Sequence, residues 1–355
     1  VRFVTYADAL EASTVRLRGR RPGRGWRAAD SGVLALRALE LAARRSGVAF
    51  REPTWFVDVD DRAFDVIHQH LFTVRALRGR LPVVATSGYP LLELYRWREG
   101  WSERRVRRAE RLELAWCRAS GADDPHFRIS SRAAVIGGYS AAYVGWLRAR
   151  NRPGADCRII GTGLPAAADA PRRRRSAGEP VRLLFVGRDF ERKGGDVAMA
   201  ACERLRADGR DVSLTVVTGR AAVPPGVAAP GVQWRVDLPR DEVVSSVMPE
   251  HDLLVAPTRS DCGVPYAVLE AMRAGLAVAL SDLPWLDDRL EAPGVMRSAP
   301  RAEAVADALA ALVADDAALE RAQRSAFDQW QRRFTMDALG AALRSAYDDA
   351  LAASS

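Results

Sequence analysis

The chain has 355 residues, 48% hydrophobic and 28% charged. At about 100–200 residues per domain it calls for two domains with an ordinary core each, which excludes a small stapled module and wholesale disorder. The formal net charge of +8 divides unevenly: residues 1–175 carry 33 arginines against 18 acids, a net +15, and residues 176–355 carry 20 basic side chains against 27 acids, a net −7.

A basic first half suggests an anionic partner there, such as membrane lipid, a phosphorylated substrate or nucleic acid; a solvated arginine-rich surface is the competing account. The four cysteines, Cys117, Cys157, Cys202 and Cys262, are spaced 40, 45 and 60 residues apart, which fits neither a zinc cluster nor a dense disulfide framework, and they read as reduced cytosolic thiols. An arginine or an acid interrupts every candidate run of about 18 apolar residues, so no bilayer-spanning helix is expected, and no secretory signal is expected before Val1.

In chain order, the first half offers helical patterns over 34–45 and 103–118 and strand-like runs over 65–68, 82–86 and 133–136. Residues 166–180, rich in Pro, Ala, Asp and Arg with no apolar period, read as a linker between an N-terminal domain over 1–165 and a second domain over 181–330. The second half alternates clearly: strands over 181–186, 213–218, 253–256 and 277–280, and helices over 195–207, 241–248 and 267–274. From 301 onward the alanine-rich chain is helical, and 331–355 is expected to pack back on the N-terminal domain. Short apolar strands separated by helices predict an α/β architecture, a parallel sheet covered on both faces in each half.

Ligands of such sheets sit beyond the carboxyl ends of the strands, where helix N-termini supply amides. Two strand ends carry unusual residues. The first reads Gly187-Arg188-Asp189-Phe190-Glu191-Arg192-Lys193-Gly194-Gly195. It is neither a P-loop nor a dinucleotide fingerprint, but it tethers two strong cations, Arg188 and Lys193, beside glycines, an arrangement suited to a diphosphate. Of the 53 basic side chains Lys193 is the single lysine, which marks it as a position for a compact ammonium. The second turn runs from Pro257 through Asp261, Cys262, Gly263, Val264 and Pro265 into a helix carrying Glu270. Amides near Gly263 and Val264 are candidates for an oxyanion. Glu270, among apolar neighbours, needs a partner, either ribose hydroxyls or an internal arginine.

With these residues in view, the second half resembles the nucleotide-sugar domain of retaining family 4 glycosyltransferases with the GT-B fold. The resemblance runs over about 181–352, through Gly187-Arg188-x4-Lys193-Gly194, the Pro257 to Ser260 turn leading to Gly263-Val264-Pro265, Leu269-Glu270-Ala271-Met272, and Arg333-Phe334. The first half resembles the acceptor domain more loosely, through residues 64–68, 82–84 and 158–163. The resemblance implies two Rossmann-like domains facing each other across a cleft, and transfer of a sugar from a nucleoside diphosphate, UDP or GDP, to an acceptor hydroxyl, with retention and without a metal or cofactor. Arg188, Lys193 and Asp261 would serve catalysis, with Gly187, Cys262, Gly263, Val264, Pro265 and Glu270 holding the donor. The acceptor would be a glycan, a lipid-linked chain or a small molecule.

Two departures stand out. The family's E-x7-E pattern puts its first glutamate where this chain has Cys262, with Asp261 beside it, so either Asp261, rather than Cys262, faces the donor sugar or the donor preference differs. The histidine often found near the strand end at 86–89 is replaced by Ser87, leaving His68, His70 and Ser87 as the candidates for the acceptor or sugar side. These departures motivate an alternative, a catalytically silent nucleotide-sugar or acceptor-binding homologue. Nucleic acid is not expected as a partner, because the aromatic residues of the basic half are not spaced as a stacking platform. A helix over 103–118 would place Val106, Ala109, Leu112 and Trp116 on one side and Arg104, Arg107, Arg108 and Arg111 on the other. The expected location is cytoplasmic, with the arginine side and the loop over 16–27 in peripheral contact with anionic membrane.

Overall fold

The computed structural model describes residues 3–5, 55–58, 64–70, 74–78, 81–86, 100–120, 133–149, 154–165, 175, 178–223 and 230–353. The predicted helix over 34–45, the arginine-rich loop over 16–27, Ser87 and most of the linker lie outside them. The chain divides into two compact units, Val1–Ile160 with Ala342–Ser355, and Gly161–Ala341.

The first unit contains strands β1 (Phe3–Thr5), β2 (Trp55–Asp58), β3 (Val66–His70), β4 (Val74–Arg78), β5 (Val83–Thr86), β6 (Ala133–Gly138) and β7 (Asp156–Ile159). Five form a parallel sheet in the order β1-β3-β5-β6-β7, while β2 and β4 pair separately. Val83 to Ala85 of β5 are all buried, as expected for a parallel strand covered on both faces. Helix α1 (Glu103–Ser120) precedes β6, and α2 (Ala141–Arg148) follows it. The start of α2 is fixed by Ser140, whose hydroxyl accepts the Tyr143 amide at 3.2 Å. On α1 Val106 and Ala109 are buried, but Leu112, placed on the apolar side by the helical period, is 39% exposed. The buried stripe is therefore narrower than the sequence pattern.

The second unit runs β8 (Val181–Val186), α3 (Gly195–Ala207), β9 (Val212–Thr218), β10 (Val232–Val236), a short helical stretch over 240–250, β11 (Leu253–Ala256), α4 (Tyr266–Arg273), β12 (Ala277–Ser281), β13 (Val295–Ser298), α5 (Ala302–Ala310) and α6 (Asp316–Arg333). Helix α7 (Met336–Ala352) begins in this unit and ends in the first. The sheet is wholly parallel, in the order β10-β9-β8-β11-β12-β13. Successive side chains of β8 alternate between two cores. Leu183 and Phe185 pack with Leu205 of α3 and Leu309 of α5, and Leu184 packs with Met272 of α4 and Trp330 of α6.

Strand order reverses between β8 and β11, so the crevice beyond their carboxyl ends is where a doubly wound sheet takes a ligand. The two turns with unusual residues follow these two strands.

Candidate functional site

The turn after β8 is held from both sides. The Gly187 amide donates to the Val217 carbonyl at 3.0 Å, and the Thr218 hydroxyl donates to the Gly187 carbonyl at 2.8 Å. Buried Phe190 anchors the loop, its ring centroid 5.7 Å from that of Phe185 and 5.6 Å from that of Trp234. Gly194 has φ +77°, and a Cβ there would lie 2.1 Å from the Pro257 carbonyl oxygen. Only glycine lets the two turns meet so closely.

Polar contacts then lace the turns together. The Arg259 amide donates to the Arg192 carbonyl at 2.9 Å, and Arg192 Nη1 donates to the Ser260 carbonyl at 2.7 Å. Arg259 grips Asp196, in the first turn of α3, through two bonds of 2.7 and 2.5 Å. That grip holds the Asp196 carboxyl below the usual carboxylate range and raises Arg259. At the centre Lys193 Nζ pairs with Asp261 Oδ2, while Asp261 Oδ1 accepts the Cys262 amide at 3.2 Å. Burial pushes the Cys262 thiol well up, and the Asp261 charge adds to that, so the side chain is a neutral thiol at physiological pH. Arg188 is exposed and makes no ion pair among the described residues.

Gly263 differs from expectation. Its amide donates to the Trp285 carbonyl at 2.9 Å and its carbonyl accepts the Asp287 amide at 2.8 Å, so it is bound into a short parallel bridge with the segment around Leu286 and offers no free donor. Its φ of +59° turns the chain into Val264 and Pro265. No side chain caps α4, whose first amides are left open at Tyr266 and Ala267 by helix geometry. Of the amides expected to face an oxyanion, that of Gly263 is thus taken, while those at the start of α4 are not capped by a side chain.

Glu270 lies four residues beyond Tyr266 on α4 and is 5% exposed. Its Oε1 accepts from Arg240 Nε at 2.5 Å and also pairs with Arg240 Nη2. The Arg240 guanidinium carbon lies 5.3 Å from the centroid of the Tyr266 ring. Arg240 was not singled out by the sequence. The available signal was a cation placed by Leu238-Pro239 just past a strand end, in a chain where Glu270 needed a partner.

Residues 180–315 match the family model described as "Glycosyl transferases group 1". Over these residues the chain is similar to a group 1 glycosyltransferase domain. Similar solved structures are TarM, at TM-score 0.58 and 8% identity over 80% of this chain and 54% of that one, and Anabaena Alr3699/HepE in complex with UDP and glucose, at 0.54 and 13% over 81% and 78%. A complex of S. aureus TarM with Fondaparinux, alpha-GlcNAc-glycerol and UDP is similar at 0.57 and 10%, over 80% and 55%. The fold is GT-B. The chain spans about half the length of TarM. No curated protein matches the sequence.

Within the second unit the structure brings Gly187, Lys193, Asp261 and Cys262 together at two adjoining turns, with Arg188 on the same loop and Glu270 on the helix that follows the second turn. The acceptor-side candidates belong to the other unit. His68, on β3, is bonded at both ring nitrogens: Nδ1 to the Tyr347 hydroxyl at 2.8 Å and Nε2 to the Thr86 hydroxyl at 3.0 Å. It thus ties α7 to the sheet, the packing role that a lone histidine at a strand end commonly has. His70 is the last residue of β3, and Ser87 lies outside the described residues.

Proposed function

We propose that this protein is a retaining glycosyltransferase that moves a sugar from a nucleoside diphosphate, UDP or GDP, to an acceptor hydroxyl. The observation that carries the reading is the meeting of the Arg188–Lys193 turn with the Asp261–Pro265 turn at the reversal point of the sheet, within residues that match a glycosyltransferase family. The UDP and glucose of the HepE complex and the alpha-GlcNAc-glycerol of the TarM complex support donor and acceptor of these classes.

In this reading the bond between the anomeric carbon and the donor phosphate breaks, and its electron pair leaves with the diphosphate. Arg188 and Lys193 take up the charge that develops on it. The departing phosphate oxygen accepts the proton of the acceptor hydroxyl as the new glycosidic bond forms on the same face, which retains configuration. Amides at the start of α4 face the phosphate or sugar, and Glu270 holds the ribose. Asp261 fixes Lys193. Cys262 contributes packing, not charge.

Among the described residues no helix is long and apolar enough to cross a membrane. Arg104, Arg105, Arg107, Arg108 and Arg111 of α1 are all exposed, and we place this face against anionic lipid on the cytoplasmic side, each cation contributing about 1 kcal/mol near such a surface.

Incubation of the purified protein with UDP- and GDP-sugars, with product release followed with and without sugar or lipid acceptors, tests the assignment. Slow hydrolysis or transfer, lost in Arg188→Ala, supports it. Nucleotide binding with no turnover under any donor would favour the silent homologue.

A further inference from the structure

Glu270 is buried, yet among the described residues only one of its two oxygens is engaged. Both contacts from Arg240, through Nε and Nη2, fall on Oε1, and among the described residues no hydrogen bond reaches Oε2. Arg240 itself is mostly in solvent, its side chain 62% exposed.

The chain places this arginine deliberately. Asp237, at the end of β10, has φ +55° and donates its amide to the Thr218 carbonyl at 3.0 Å, so the backbone turns sharply there. Leu238 packs on the core, and Pro239 accepts the Val243 amide at 3.1 Å, which sets Arg240 in the first turn of the helical stretch. The ring of Tyr266, 57% exposed, lies under the guanidinium and steadies it by a cation–π contact. Tyr266 and Glu270, at i and i+4, share one face of α4, so a single guanidinium spans both.

We infer that Arg240 is a positioning residue of the nucleoside subsite: it supplies the counter-charge for Glu270 and fixes the rotamer that leaves Oε2 open to accept from a vicinal diol. The inference rests on the reading that Glu270 takes the ribose of the donor. Arg289, by contrast, engages both oxygens of buried Asp287. At Glu270 the second is left for a ligand, and two adjacent hydroxyl donors match one carboxylate.

Equilibrium binding of UDP and GDP, each beside its 2′,3′-dideoxy form, to the parent, Arg240→Ala, Arg240→Lys and Glu270→Ala tests it. The parent prefers the ribose form of whichever nucleotide it binds by roughly 10–100-fold, the range for hydrogen bonds to a charged group. Arg240→Ala lowers that preference to within about threefold and leaves dideoxy binding unchanged, and Arg240→Lys falls between. Equal losses for both forms in Arg240→Ala would show a merely structural role and overturn the inference. If Glu270→Ala erases the preference but Arg240→Ala keeps it, the ribose reading stands and the role of Arg240 fails. If Glu270→Ala keeps it, or the parent binds neither nucleotide, the ribose reading fails and this inference with it.

Discussion

Lys193 and Asp261 form an ion pair that joins the turn after β8 to the turn after β11, 68 residues apart in sequence. On the proposed function, a diphosphate arriving at Lys193 would meet an ammonium already oriented by that carboxylate. The pair explains why an acid stands beside Cys262 without requiring the acid to touch the sugar.

Asp261→Asn is therefore expected to slow transfer by about 100-fold, the scale of a misplaced positioning group, while Cys262→Ser and Cys262→Ala are mild. Steady-state kinetics of the three variants checks the ranking. The reverse order would place Cys262 in contact with the donor.

Burial and the neighbouring carboxylate both keep Cys262 protonated. Only the thiolate is a competent nucleophile, so iodoacetamide at pH 7.5 should leave Cys262 unmodified for hours in the native protein. Peptide mapping by mass spectrometry reads this directly. Rapid stoichiometric alkylation at Cys262 would contradict it.

His251 is buried, with Nδ1 bonded to the Val247 carbonyl at 2.7 Å, and burial lowers its pKa from 6.5. The unfolded chain binds the proton more readily, so this contribution to stability is present above about pH 6.5 and is lost as pH falls through the lower folded value. His251→Gln should flatten the fall in melting temperature between pH 7.5 and 5.5. An unchanged slope would remove His251 from the account.

Much of the second unit was legible because its strands β8 and β11 are short apolar runs and its helices end at clear stop signals. The helix over 195–207 ends at Asp208-Gly209, and Gly209 has φ +76°. Strands β7, β10 and β13 were not read. Asp156–Ile159 and Val232–Val236 mix charged or amide side chains with apolar ones, and Val295–Ser298 is four residues with one arginine, as sheet-edge strands tolerate. The turns carrying Lys193 and Asp261 were legible as sequence, but their pairing was not, since contact depends on β8 and β11 being neighbours in space. The same holds for Arg240 and Glu270, 30 residues apart, and for His68 and Tyr347, 279 apart.

The His68 contact carries its own expectation. Tyr347→Phe removes one acceptor or donor from the ring and should cost about 0.5–1.5 kcal/mol of stability, read by denaturant unfolding, with nucleotide binding unchanged. A loss of nucleotide affinity without loss of stability would give His68 and Tyr347 a part in the site.

The central claim is that the Arg188–Lys193 turn holds a nucleoside diphosphate, and calorimetric binding of UDP and GDP to the parent, Arg188→Ala and Lys193→Ala is its most direct test. The parent is expected to bind one of the two, and each substitution to weaken that binding by about tenfold or more, equivalent to at least about 1.4 kcal/mol. A parent that binds neither nucleotide, or a Lys193→Ala variant that binds as tightly as the parent, would contradict the account.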